Sequence, residues 1–492
     1  MRRGPLLLAF LGCTTVALSS CMVGPNYQRP SAPVPPAYKE LSSPESGQLG
    51  EWKVAQPSDA EFRGSWWEAF QDPQLNALTT QVDISNQNIA NAEAQLRGAV
   101  AAIRVARADL FPTVVGGASV AHGRQFSTSS GATGSEQTLY QLPLTLTYGL
   151  DIWGQIRRNI EANVATAQVT AANLETVRLS VYATLAASYF ALRGLDAQSQ
   201  LLDFTVAAFE KALQLTLNRY NQGIASQVDV AQAQTQLEST RAQATDVLAQ
   251  RAQIEHAIAI LLGKPPAELT IPPMSLTLQL PTIPVGLPSE LLERRPDIAA
   301  AERQMAAANA RIGVAEAAFY PSLTLTAATN LAYSSLTSMF VWPNQVWSVG
   351  AVLAETLFDA GRRGAVTEEA RASYDATVSV YRQTVLTAFQ SVEDNLSALR
   401  LLGEEAQQQD AAVKAAELFL TLSLNRYRGG IATYLEVIIA QTAALNAERT
   451  AIGILTRRMT AAVQLIQALG GGWGGFAPVL ESSRPEEEVR HP

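Results

Sequence analysis

One phrase occurs twice in this chain. LNRYNQGIASQVDV stands at 217–230 and LNRYRGGIATYLEV at 424–437. Asn218, Arg219, Tyr220, Gly223, Ile224 and Ala225 fall on Asn425, Arg426, Tyr427, Gly430, Ile431 and Ala432, and Asp229 falls on Glu436. Other landmarks recur in the same order: LFP at 110–112 and FYP at 319–321, WGQIR at 153–157 and AGRRG at 360–364, Leu262-Gly263 and Leu469-Gly470. Such a chain is two copies of one structural unit, and both halves must adopt the same fold. The proline-rich stretch 265–288 joins them and reads as an extended crossing.

Each phrase sits between two helix-forming runs. Neither 157–221 nor 364–428 contains a proline, so each can form a helix of about 60 residues, roughly 90–100 Å long at 1.5 Å per residue. After the first phrase, Ala233, Leu237, Thr240, Ala244, Val247, Ile254, Ile258 and Leu261 alternate steps of three and four, broken only at Arg251. Ala440, Ala444, Ala447, Ala451, Ile454, Ala461, Leu465 and Ala468 repeat that register, broken at Arg458. This spacing is the seam of a coiled coil, and its small residues allow helices to approach closely. The glycines of the phrase supply the positive φ that ends a helix, and Ser226 or Thr433 can cap the next one. The phrase is therefore expected to be the turn of a long helical hairpin, once in each half.

The short segments between helices read as strands. Alternate positions from Tyr140 to Leu150 are apolar, SLTLTA at 322–327 alternates as well, and 113–122 and 346–356 are strand-like. Gly/Ser/Thr-rich or Trp-Pro-Asn loops at 123–137 and 334–344 separate the pairs. Two β-hairpins result, at 113–150 and 322–357, with strands of about ten residues, long enough to cross a bilayer at a tilt. Four strands cannot close a barrel, and open edges are not tolerated in lipid. Three copies pooling four strands each would close a barrel of twelve.

Composition removes other classes. A net charge of −8 with 16 % charged residues and no Lys/Arg run argues against nucleic acid. His122, His256 and His491 have no metal-ligand spacing, and the only cysteines, Cys13 and Cys21, precede the body of the chain. No metal, cofactor or catalytic constellation is expected. Residues 1–20 have the layout of a secretory signal peptide: Arg2-Arg3, an apolar run over 6–18, then LSSC at 18–21. LSSC is similar to a bacterial lipobox with Cys21 as the acylated first residue, and Met22 rather than Asp at the next position fits outer-membrane sorting by that analogy.

Several further phrases, in order and nearly end to end, carry a resemblance: CMVGPNYQRP at 21–30, WWEAFQDPQL at 66–75, GLPSELLERRPD at 286–297, AFYPS at 318–322 and ALGGGW at 468–473. The chain resembles the outer membrane factor family, the TolC/OprM-like exit ducts of efflux pumps and type I secretion, in its lipoprotein branch. The resemblance implies a mixed fold: long antiparallel α-helical hairpins forming a periplasmic α-barrel, plus four β-strands per chain contributing to a trimeric twelve-stranded transmembrane β-barrel. It implies an organisation of signal peptide 1–20, lipidated extended segment 21–70, first repeat 71–264 with its tip near 218–228, crossing 265–288, second repeat 289–473 with its tip near 425–435, and a disordered tail 474–492. The implied function is passive efflux of small toxic molecules, with a periplasmic adaptor (membrane fusion) protein and a resistance-nodulation-division or ABC pump as partners. A type I protein secretion duct and a lipid-anchored coiled-coil scaffold without a pore are the alternatives.

The same resemblance makes the tips a docking surface, with candidates Arg219, Tyr220, Gly223, Ile224, Arg426, Tyr427, Gly430 and Ile431. It also makes them a gate, with candidates Asp229, Glu436, Arg426 and Arg428. Some members carry a charged gate residue where this chain has Ala432. Asp229 and Glu436 are equally readable as first-turn helix acids. Glu255-His256 reads as a surface pair, Trp66-Trp67 as packing against the helices, Pro296-Asp297 as a helix start, and 470–475 as a helix stop, since it lacks the Lys-Ser/Thr of a phosphate loop.

Overall fold

The computed structural model describes residues 22–41, 65–125, 135–274, 280–281, 283, 294–334 and 345–471. The signal peptide, Cys21 and the tail from residue 472 onward lie outside the described residues. After a 3-10 turn at Trp66–Phe70 come α1 (Pro73–Ser85), α2 (Gln87–Ala108), β1 (Thr113–Gly116), β2 (Ser119–Gln125), β3 (Ser135–Leu150), α3 (Gln155–Asn221) and α4 (Gln227–Leu261). The second half holds α5 (Pro296–Ala317), β4 (Ser322–Tyr333), β5 (Gln345–Ala354), α6 (Arg362–Arg428) and α7 (Tyr434–Ala468). The halves match to the residue in their long elements: α3 and α6 are each 67 residues and α4 and α7 each 35. Among the described residues no helix is long and apolar enough to cross a membrane.

Two compact units can be separated. The first combines the chain start with Gln95–Thr170 and Ala300–Arg382. It holds one antiparallel sheet in the order β1-β3-β4-β5, with β2 continuing the β1 edge against β3. The expected first strand is thus divided at Gly117-Ala118, and the last strand stops at Ala354, short of 357. Along β3, Leu142, Leu144, Leu146 and Tyr148 lie opposite Leu331, Thr329, Ala327 and Leu325, whereas Thr145 and Thr147 lie opposite Ala328 and Thr326. One face is mainly apolar and the other small or polar, as the period of two requires. Asp151 ends the sheet and accepts from the Ile156 and Arg157 amides, and Asp359 repeats this with the Gly361 and Arg363 amides.

The segment that follows Cys21 is clamped within this unit. Arg158 is buried and donates to the carbonyls of Val23 (3.1 Å) and Gly24 (3.0 Å) and to Asn26 Oδ1 (3.0 Å). Tyr27 donates to Glu302 and Asn309 to the Pro25 carbonyl. Gly24 has φ +93°, and a Cβ there would lie 2.4 Å from Gly313 Cα, so the strap can pass only with glycine at that point.

The second unit combines Ala32–Ala94, Ala171–Ala299 and the chain from Gln383 onward. Trp67 packs on Tyr182 and Phe70 on Phe190, each at 4.9 Å between ring centres. Asp72 caps α1, accepting from Gln74 and Leu75 amides, and also receives the Tyr189 hydroxyl. Two joints follow from helix ends meeting. Asn86 caps α2 through its Oδ1 while its amide donates to the Leu261 carbonyl at the end of α4. Arg295, just before α5, donates to the Ala468 carbonyl at the end of α7. Orphan carbonyls of one helix thus find donors at the start of another.

The break at Arg251 has a physical reason. Arg251 pairs with the buried Asp196 (2.6 Å), which also pairs with buried Arg193 (2.6 Å). Arg251 and Arg193 then hold the Ile271 and Pro272 carbonyls, fixing the start of the crossing. Glu255 accepts from Arg251 and from the Ile271 amide, so it belongs to this cluster, and the expected surface pair with His256 is corrected.

Candidate functional site

Both phrases fold as helical turns with one backbone pattern. At the first, Gly223 N–H donates to the Tyr220 carbonyl (2.9 Å) and Ile224 N–H to the Arg219 carbonyl (2.8 Å). At the second, Gly430 donates to Tyr427 (3.0 Å) and Ile431 to Arg426 (3.0 Å). Gly223 and Gly430 have φ of 73° and 74°, the left-handed geometry the pattern demands.

The side chains diverge. Ser226 and Asp229 form a reciprocal capping box: Asp229 N–H donates to Ser226 Oγ, and the Asp229 carboxylate accepts from the Ser226 amide at 2.8 Å. Thr433 makes no side-chain cap, and Glu436 instead pairs with Arg426 across the turn at 3.1 Å. Asp229 and Glu436 are thus engaged separately, each within its own hairpin.

The tyrosines differ most. Tyr220 is 42 % exposed and Tyr427 only 5 %. Tyr427 enters a core with Ala233, Tyr434 and Val437, its ring 5.4 Å from that of Tyr434. Arg219 reaches from the first hairpin, lies 4.5 Å from the centre of the Tyr427 ring and donates to the Tyr427 carbonyl at 2.6 Å. The Tyr427 hydroxyl lies 3.4 Å from Thr216 on α3. Burial, with Tyr427 beside it, pushes the Tyr434 phenol up to about 12.

The structure therefore brings Arg219, Tyr427, Thr216 and Tyr434 together, and Arg426 with Glu436. Tyr220, Ile224, Arg428 and Ile431 face outward, with Ile224 and Ile431 62 % and 75 % exposed. Tyr434 was missed in the sequence. Its signal was there: it stands where the first phrase has Gln227. Beside the tips, a groove of about 370 Å³ runs between α3, α6 and α7, lined by Phe204, Phe209, Leu424, Tyr427 and Tyr434 with Glu448 at its edge. Burial, with Glu417 nearby, raises the Glu448 pKa. Among the described residues no group of acidic, His or Cys side chains could hold a metal.

Duplicated helical hairpins with differently finished tips and a sheet with two open edges define a class: the outer-membrane channel type. The chain belongs to the outer membrane efflux protein family, whose model matches residues 78–264 and 287–471, one match for each repeat. It is 32 % identical over 466 residues to the probable efflux pump outer membrane protein SepC of Pseudomonas putida, covering 94 % of this chain and 96 % of that one. It is 32 % identical over 470 residues to the toluene efflux pump outer membrane protein TtgC of the same species, covering 95 % and 96 %. Its fold matches the outer-membrane channel OprN with a TM-score of 0.82 at 30 % identity, over 92 % of this chain and all of that one. Long helical hairpins combined with a few strands are the architecture of this family.

Proposed function

We propose that three copies assemble in the outer membrane as the exit channel of a tripartite efflux system, passively conducting small toxic molecules outward. Four strands from each copy close a twelve-stranded barrel, and the helical hairpins form the periplasmic duct. The carrying observation is the pair of hairpin tips locked to each other through Arg219 and the buried Tyr427. A passive duct joined to a pump needs a closed end that yields to a partner, and this lock is a contact between two separate hairpins that parting them would break.

In this reading the exposed Tyr220, Ile224 and Ile431 receive the periplasmic adaptor, while Arg219 and Tyr427 hold the mouth shut and the Arg426–Glu436 pair braces the second turn. Asp229 and Glu436, repeated three times around a narrow mouth, favour cations there. An inner-membrane pump of the resistance-nodulation-division or ABC type supplies the work. Cys21 carries the lipid, and the clamp at Val23–Asn26 holds the following residues beside the sheet. The test is deletion and complementation: loss of the gene product raises sensitivity to toxic compounds and wild-type chain restores resistance. Restored resistance with protein that runs as a monomer in native mass spectrometry would overturn the trimeric duct. Mass spectrometry of the mature N-terminus tests Cys21, with an unmodified cysteine overturning the anchor.

A further inference from the structure

The groove beside the tips has a chemistry of its own. Its walls come from both hairpins: α3 supplies Phe204 and Phe209, and α6 and α7 supply Leu424, Tyr427 and Tyr434. Its volume of about 370 Å³ suits a small organic molecule. Gln441 lies on the wall and is only 5 % exposed, yet among the described residues its buried Oε1 accepts no hydrogen bond. A buried acceptor left open is costly. The neighbouring hydroxyls do not reach it: Thr205 donates to the Leu201 carbonyl at 2.8 Å, and the Tyr427 hydroxyl lies beside Thr216.

Glu448 also lines the groove. It comes two helical turns after Gln441, on the same face of α7 and about 10 Å further from the turn. Burial and the nearby Glu417 raise its pKa, and no cation among the described residues offsets them. Lys211 and Arg428 border the groove as well, but both are exposed, where water already solvates them.

We propose that this groove binds elongated apolar amines: the body lies against Phe209, Leu424 and Tyr434, an N–H within it donates to Gln441 Oε1, and an ammonium at its end meets the Glu448 carboxylate. The lining sets the class. An anion would bring its charge against Glu448 and offer Gln441 no donor. A small hydrophilic cation would leave the aromatic walls uncovered, and a hydrocarbon would leave Gln441 unpaired. Because α3 belongs to the first hairpin and α6 and α7 to the second, a bound amine touches both, next to the Arg219–Tyr427 contact. The site goes beyond the efflux reading and does not depend on it.

Dansylcadaverine is the probe, an aromatic sulfonamide with one N–H and an ammonium at the end of its alkyl chain. Isothermal titration into detergent-purified protein, with empty detergent subtracted, is expected to show saturable binding. Glu448→Gln is expected to weaken it about tenfold or more, and Gln441→Leu about fivefold. Helical circular dichroism checks that both variants fold. Glu238→Gln, on α4 and outside the groove, is expected to change nothing. Dansyl-aminohexanoate, a matched body ending in a carboxylate, is expected to bind about tenfold more weakly than the amine or worse. The N-methyl sulfonamide of the probe lacks the N–H and is expected to bind wild type and Gln441→Leu alike. Equal binding of the probe by wild type and both groove variants would overturn the site. Equal binding of the carboxylate would overturn the ligand class. No saturable binding would mean that water or a neighbouring copy fills the groove, and would overturn the proposal. None of these results bears on conduction, which deletion and complementation test separately.

Discussion

Gly223 and Gly430 close the two tips with the same backbone bonds, yet the tyrosine three residues before each goes a different way. Tyr220 faces solvent, and its hairpin is finished locally by the Ser226–Asp229 capping box. Tyr427 turns inward, and its hairpin is finished by Arg219 from the neighbouring one. The contrast recurs along the arms. Asp196 joins Arg193 and Arg251 in the first repeat, whereas the matching place in the second holds Arg400, Gly403 and Arg458. Duplication preserved the frame that the backbone needs. The side chains then divided the work, so that one tip stands on its own and the other depends on its neighbour.

The two repeats are expected to differ most in their arms. Asp196→Ala leaves two arginine side chains without their shared carboxylate and is expected to cost about 3–5 kcal/mol. Gly403→Ala, at the matching place, meets open space and is expected to leave stability unchanged or raise it by up to about 1 kcal/mol. Urea unfolding of detergent-purified protein, followed by helical circular dichroism, separates the two. Equal losses would mean the repeats share their support after all.

At the tips the same method compares the tyrosines. Tyr427→Ala removes a buried ring and is expected to cost about 3 kcal/mol, while Tyr220→Ala is expected to stay within about 0.5 kcal/mol of wild type. The caps sharpen the contrast at smaller scale. Ser226→Ala is expected to cost about 1 kcal/mol, and Thr433→Ala only a few tenths, because Thr433 makes no capping bond. Smallest is Glu436→Gln, which loses a partly exposed pair with Arg426. It is expected to cost less than about 1 kcal/mol, with the difference shrinking as salt rises.

The sequence carried the long elements because their signals are local and repeated. A proline-free run, a period-3.5 stripe and a glycine turn are each readable from neighbours in the chain, so both hairpins and the place of both tips were legible. The strand pattern was also visible, apart from the division at Gly117-Ala118, the start of β3 at Ser135 and the end of β5 at Ala354. What sequence spacing could not reveal are contacts between distant segments. Nothing near Arg251 announces Asp196, and nothing in the second phrase announces that Arg219 will lie on Tyr427. The end-to-end joints at Asn86 and Arg295 were hidden for the same reason. The exchange of Gln227 for Tyr434 between the two phrases was a local clue that the tips differ.

In the proposed reading, the second tip holds the duct closed through the first. Single-channel conductance in a planar bilayer tests it most directly, comparing wild type with Arg219→Ala, Tyr427→Ala and Tyr220→Ala. The account expects small currents in wild type, clearly larger ones in Arg219→Ala and Tyr427→Ala, and wild-type currents in Tyr220→Ala. Unchanged conductance in all three variants, from protein of verified trimeric mass, would contradict it and move the gate away from the repeated phrase.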